Sequence, residues 1–299
     1  MVLAAGLVGV PALAQQPGQK KLPSAEDACA ALVAAAQDND EKGMLDLFGP
    51  LGKSLVSTGN PAEDADRRAR FVSRYREMHR LVQEPDGRTT LYIGAYNWPT
   101  PVPLASRDGA WYFDTAAGLK EILYRRVGRD ETSAIRVCQE LAAAQKEYCA
   151  AQGEYARSLA SAEGQRDGLY WQAVEGEPSS PIGPLVAAAA WDRPKGSGGS
   201  PEPFRGYYFR VLARQGPRAP GGARSYLVHG RMTKGFAFVA FPAQYRVTGV
   251  MTFIVGPDGK VRERDLGPRT GTLAGGMKLF DPEPGWRVAA LGEPAATHP

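Results

Sequence analysis

The chain has 299 residues, 36 Lys and Arg against 32 Asp and Glu, and a formal net charge of +4. That length suits two domains, and a 43% apolar content is enough to build their cores. So mild a positive excess speaks against nucleic acid, which needs a clustered basic face, and three cysteines without CxxC or Cys/His spacing speak against zinc.

Residues 1–14 form an apolar run ending in Ala12-Leu13-Ala14, the small-x-small pattern of a signal-peptidase site. No Lys or Arg precedes the run. It is shorter than the roughly 20 residues that span a bilayer. A buried N-terminal helix is the other reading, and Pro11 and Gln15-Gln16-Pro17-Gly18 argue against it. The expectation is a signal peptide cut after about Ala14, giving a periplasmic or secreted protein. The longest later apolar stretch, Leu185 to Trp191, is too short to span, so the mature chain is expected to have no transmembrane segment.

Residues 15–23 read as a polar leader. Ser24 caps a helix carrying Cys29, Leu32, Val33 and Ala36 at helical spacing, which ends at Asp38-Asn39-Asp40. A shorter helix carries Met44, Leu45, Leu47 and Phe48 and stops at Gly49-Pro50. Asn60-Pro61 opens a third, with Phe71, Tyr75, Met78 and Val82 as its inward stripe and Pro85-Asp86-Gly87 as its end. Arg67, Arg68, Arg70, Arg74, Arg76 and Arg80 fall on that predicted helix. They read either as a solvated face or as a contact with an anionic envelope surface. Strands are expected over 89–93, 102–105 and 110–114, with Arg107-Asp108-Gly109 as a hairpin turn.

Helix returns over 117–127. A second helix over 130–152 carries Ala134, Val137, Leu141, Ala144, Tyr148 and Ala151 at spacings of three and four. Cys138 and Cys149 lie on it, about 16 Å apart at 1.5 Å per residue, beyond the roughly 7 Å that a disulfide bridges. At most one pairs with Cys29; three small buried residues is the other account. Residues 153–203 are rich in Gly, Pro and Ser, with a loop at Lys195 to Pro201. Strands follow over 206–213, 225–229, 235–241, 247–255 and 260–264, with Pro257-Asp258-Gly259 as the last turn. The expected fold class is α+β. Residues 24–128 form a domain of helices and a curved antiparallel sheet, residues 129–290 a long helix packed on an antiparallel meander, and residues 291–299 a disordered tail.

Several motifs carry a family resemblance. They are Asn97 to Leu104 (NWPTPVPL), Gly109 to Ala116 (GAWYFDTA), Asp167 to Trp171 (DGLYW), Gly206 to Phe209 (GYYF), Gly235 to Pro242 (GFAFVAFP), Gly249 to Val255 (GVMTFIV) and Asp265 to Gly267 (DLG). As a set, in this order over nearly the whole mature chain, they resemble a bacterial family of exported proteins, domain of unknown function 2950. That resemblance implies an envelope protein and supplies no catalytic residues. The first domain is similar to the cone-shaped nuclear-transport-factor-like fold. The second is similar to the globular domain of pilins and pseudopilins, although a domain rather than an apolar stem precedes its helix. Residues 152–158 lack the alternating acids of a calcium loop.

No reaction is legible. His79, His229 and His298 have no Gly-x-Ser-x-Gly elbow to serve, and the cysteines sit in apolar helical contexts. Asp114 and Glu121 are conceivable paired carboxylates, or simply charges at a helix N-terminus. No catalytic residue, cofactor or metal is expected. The candidate site is instead a ligand pocket in the first domain near Tyr75, Trp98, Trp111 and Phe113, residues that otherwise fill the core. The expectation is a non-catalytic exported binding or assembly protein with an unknown envelope protein or small ligand as partner. The alternative is an envelope hydrolase or small-ligand carrier using that pocket.

Overall fold

Capping decides where the first elements begin. In the computed structural model, which describes residues 15–173, 175–176, 178–192, 200–282 and 284–290, Ser24 Oγ accepts a 2.9 Å hydrogen bond from Asp27 N and starts α1 (Ala25–Gln37). The signal-like run 1–14, the tail 291–299 and most of the loop near Lys195 lie outside the described residues. The fold class is α+β, with helices and antiparallel sheets. The chain divides into two compact units, Met1–Tyr124 and Arg125–Pro299.

In the first unit α1 buries Ala28, Cys29, Leu32 and Ala36. Asp40 caps α2 (Glu41–Phe48), and Gly49, at φ 72°, turns the chain into a short 3-10 segment and α3 (Lys53–Val56). Asn60 caps α4 (Pro61–Glu77), with Pro61 at its first position. The sheet joins β1 (His79–Gln83), β2 (Thr89–Ile93), β4 (Leu104–Arg107) and β5 (Ala110–Phe113) in that order, with β3 (Trp98–Pro99) also on β2.

One expectation changes here. The third helix does not run to Pro85: it stops at Glu77, Met78 is extended, and residues 79–83 are β1. Pro85-Asp86-Gly87 closes a hairpin instead, with Glu84 N bonded to Arg88 O at 2.8 Å and Gly87 at φ 84°. The hairpin pairs five residues of β1 with β2, while Gly94 N of the returning chain reaches the Arg74 carbonyl at 3.1 Å, a second donor beside Met78 N at 3.2 Å. So Val82, Arg80 and His79 are strand residues. The polar leader is tied into the first unit. Gln19 is buried and its amide donates to Leu47 O at 2.8 Å and Phe113 O at 2.7 Å. Gln16 reaches Phe48 O, and Leu22 pairs antiparallel with Trp111. The terminal carbonyls of α2 lack helical partners, and these amides supply them.

The helices expected over 117–127 and 130–152 are one helix, α5 (Thr115–Gln152). Gly128 falls between the two expected spans; a helical glycine costs only about 1 kcal/mol, and the turns on either side continue through it. Residues 115–124 of α5 fall in the first unit and 125–152 in the second. In the second unit α5 buries Ala134, Val137, Cys138, Leu141, Ala144 and Tyr148; Ala151, expected inward, is exposed in the last turn. Glu131 accepts from Val250 N and Met251 N at 2.7 and 3.0 Å, and Gln145 pairs with both backbone groups of Ala156.

Beyond α5, β6 (Ser158–Ala160) pairs parallel with β7 (Gly168–Tyr170), and α6 spans Pro184–Ala188. The main sheet has β8 (Tyr207–Leu212) at one edge. Of the strand expected over 225–229, Ser225 belongs to β10 (Arg224–Ser225), paired with β9 (Arg214–Gln215). The rest is β11 (Leu227–Val228), paired with β12 (Arg231–Met232). His229 and Gly230 turn between those last two at φ 49° and 81°. The main sheet continues as β13 (Ala237–Pro242), β14 (Met251–Val255) and β15 (Arg262–Asp265) to β16 (Arg287–Val288), with α7 (Thr270–Gly275) before the last. Residues 247–250, expected in β14, make a turn instead: Val247 N and Thr248 N both bond to Gln244 O. Tyr207, Phe209, Phe238, Phe241 and Phe253 are fully buried with the inward face of α5 in one core. No helix among the described residues is long and apolar enough to cross a membrane.

All three cysteines are free thiols. Burial pushes the Cys29 thiol up to about 12, with Glu26 nearby adding to it, and burial likewise raises Cys138.

Candidate functional site

Positions 64, 67, 68, 71 and 74 of α4 are three or four apart and so share one face of the helix. That face forms part of the wall of a cavity of about 360 Å³ in the first unit. Leu32 and Ala36 of α1 line it, as do Met44 and Phe48 of α2, Leu55 and Val56 of α3, and Leu91 and Ile93 of β2. Val102 and Ile122 complete much of the apolar wall. The ionisable groups in the lining are Asp64, Arg67, Arg68, Arg70 and Arg74, all from α4.

Asp64 is buried at 4% exposure. Burial by itself raises a carboxyl's pKa. Here the Thr58 backbone N–H at 2.9 Å, the Ser57 hydroxyl at 2.9 Å and the Arg68 charge outweigh it, and the carboxyl is held below its usual range. Its oxygens thus fix the loop before α4. Arg68 is likewise engaged, donating to Val56 O at 3.1 Å. Arg67 stands 3.9 Å from Asp64 and its side chain is 44% exposed; Arg70 is exposed.

Of the four aromatic residues expected at a pocket, Trp98 and Phe113 line this one. Phe113 also packs on Phe48 with ring centroids 5.1 Å apart. Tyr75 lies outside the lining, stacked on His79 at 3.8 Å. Trp111 also lies outside it, packed on the same core beside its pairing with Leu22. The sequence reading missed the arginines as cavity residues. Their signal was present in the spacing of Arg67, Phe71 and Arg74, but those positions were divided between an apolar stripe and a basic face.

The remaining polar candidates sit elsewhere. His79 and His229 are exposed and outside the lining. Asp114 accepts from Ala117 N at 3.0 Å and so caps α5. Among the described residues, no group of three or more His, Cys, Asp or Glu is placed to hold a metal ion.

Residues 19–289 match the family described as "Protein of unknown function (DUF2950)". No curated protein and no solved structure matches the chain.

Proposed function

The chain belongs to the DUF2950 family, whose description assigns no activity, and from the geometry we propose a non-catalytic binding protein whose first unit holds a small apolar ligand. The observation that carries this is the cavity wall. Leu32, Ala36, Met44, Phe48, Leu91 and Ile93 are all buried and all line it, the apolar concavity in which small ligands are held. A hydrolase reading needs a nucleophile or general base aimed at the space. The one carboxylate among the described lining residues, Asp64, is committed to Ser57 and Thr58.

The test is thermal denaturation of the full chain with and without an extract of cell-envelope small molecules, followed by native mass spectrometry. A raised Tm and a retained small molecule are expected, because a ligand bound only by the native state stabilises it. Turnover of an ester, peptide or glycoside that Asp64→Asn abolishes would overturn the non-catalytic reading.

The proposal extends to place. The run ending Ala12-Leu13-Ala14 supports export to the periplasm or beyond. Protein recovered from that fraction should begin near Gln15, and an intact Met1 on protein retained in the cytoplasm would refute export. The cone-like and pseudopilin-like likenesses are proposals of the same kind. Helices on an antiparallel sheet support the first, and a long helix leading into a meander supports the second. Superposition of an experimental structure on each fold tests both.

A further inference from the structure

We infer that the cavity takes a single-chain anionic amphiphile, with its tail against the apolar wall and its head among the arginines of α4. This rests on the binding reading above and adds the class of ligand. Three observations combine. The first is size: at about 360 Å³ the cavity lies in the roughly 300–1,000 Å³ range of small-ligand pockets, with room for a ten-carbon carboxylate. The second is polarity. Leu32, Phe48, Leu91 and Ile93 offer hydrocarbon only and Met44 adds a soft thioether, so that wall matches a methylene chain and offers a charged headgroup no strong partner.

The third is charge. The lining has four arginines and one aspartate, and all five sit on α4. Arg68 is used structurally and Asp64 is turned to Ser57 and Thr58. Arg67, 3.9 Å from Asp64, and Arg70 are exposed residues that line the same cavity. A guanidinium presents a planar fork that fits carboxylate or phosphate oxygens two at a time. Low-dielectric walls beside such charges focus their field on an entering anion. A purely solvated basic face accounts for the charge but not for its placement at the one side of an apolar cavity.

The probe is decanoate, kept below its aggregation concentration, with decanol and decyltrimethylammonium as neutral and cationic partners of the same tail. Affinities are measured by calorimetry on the full chain, for the parent, for Arg67→Glu combined with Arg70→Glu, and for Arg107→Glu as an exposed charge change outside the lining. Decanoate should bind the parent at least tenfold tighter than decanol, and the cation should be weakest. Octanoate should bind roughly tenfold more weakly than decanoate, the effect of two fewer buried methylenes. The double variant should lose at least tenfold for decanoate while holding decanol at the parent affinity, which also shows that it folds. Arg107→Glu should change neither.

Location is read separately. Bound 10-bromodecanoate should quench Trp98, and Trp98→Phe should remove that part of the quench. Equal affinity for decanoate and decanol, or an unaffected double variant, overturns the anionic-head inference and leaves the apolar binding site standing. A quench undiminished in Trp98→Phe puts the chain elsewhere and overturns it too. If no ten-carbon probe binds at all, both this inference and the binding reading fall.

Discussion

Asp64 shows how one side chain joins stability to the cavity. Its folded pKa lies below its unfolded value of about 3.9. The native state therefore binds its proton less readily than the unfolded chain does. Its contribution is complete above the unfolded value and is lost as pH falls through the folded one. Asp64→Asn should lower the Tm at pH 7, and the gap to the parent should narrow steadily below about pH 4. A gap independent of pH would show that the charge is not what matters. The thiols give a second test. Cys29 and Cys138 are buried and their thiols are raised, while Cys149 is only half-buried. A thiol-labelling reagent should modify native protein first at Cys149 and reach the other two only on unfolding. Modification of Cys29 at the unfolding-independent rate would contradict its placement. These burials were partly readable from helical spacing, because small apolar residues surround Cys29 and Cys138 in the sequence. The free state of all three was not, since pairing depends on distances that no spacing between separate elements fixes.

At the scale of elements, α5 carries two glycines with opposite expectations. A Cβ on Gly118 would stand 2.5 Å from Val102 Cγ2 and 2.9 Å from Val102 Cα. One of those atoms is backbone, so the helix must shift. Gly118→Ala should destabilise by about 1–3 kcal/mol despite the better helix propensity of alanine. Gly128 is exposed and has nothing within 4 Å of such a Cβ, so Gly128→Ala should stabilise by up to about 1 kcal/mol. Urea denaturation of the two variants beside the parent checks both signs. The apolar pattern gave two spans, 117–127 and 130–152, and α5 runs unbroken through Gly128 between them. That pattern also read the apolar positions of α4 through to Val82, because Leu81 and Val82 fit a helical stripe as well as a strand. What decided the matter was β2, a partner that a local pattern does not contain. Where the partner is the next element along a tight turn, as with β4 and β5 around Asp108-Gly109, the hairpin is as read, although the strand expected over 102–105 runs from Leu104 to Arg107 and Arg107, expected in the turn, pairs with Ala110.

On the scale of the whole molecule, the α+β class and the order of helices, sheet, long helix and meander were legible, because each depends on periodicity summed over many residues. The cavity was legible only in part. Phe113 and Trp98 reach it, but a void is defined by what surrounds it, and Leu32, Val56 and Arg67 are assembled from three helices. Long-range ties of this kind also hold the second unit. Arg210 on β8 is 9% exposed, pairs with Asp192, and donates through Nη1 to Gly275 O and to Met277 O, the latter at 2.9 Å. It thereby gathers three stretches of chain. Arg210→Met leaves those two carbonyls without their donor and should cost roughly 2–3 kcal/mol in denaturant unfolding. Asp192→Asn should change stability by less than about 1 kcal/mol, because that carboxylate is 58% exposed and its ion pair is screened by water. Equal losses in the two variants would show the ion pair, not the carbonyl bonds, to be the tie.

The buried amide of Gln19 has a consequence in time as well as in space. Its two acceptors are Leu47 O and Phe113 O, and the second is 94 residues further along the chain. Leu22 waits for Trp111 in the same way. A chain that emerges from its N-terminus therefore delivers the closing piece of the first unit early and its partner last. Until residue 113 has appeared, Gln19 has one acceptor at most, and the edge of β5 that Leu22 covers does not yet exist. Closure of that unit is then a late, high-contact-order event, slower than the local capping of α1 and α2 that precedes it.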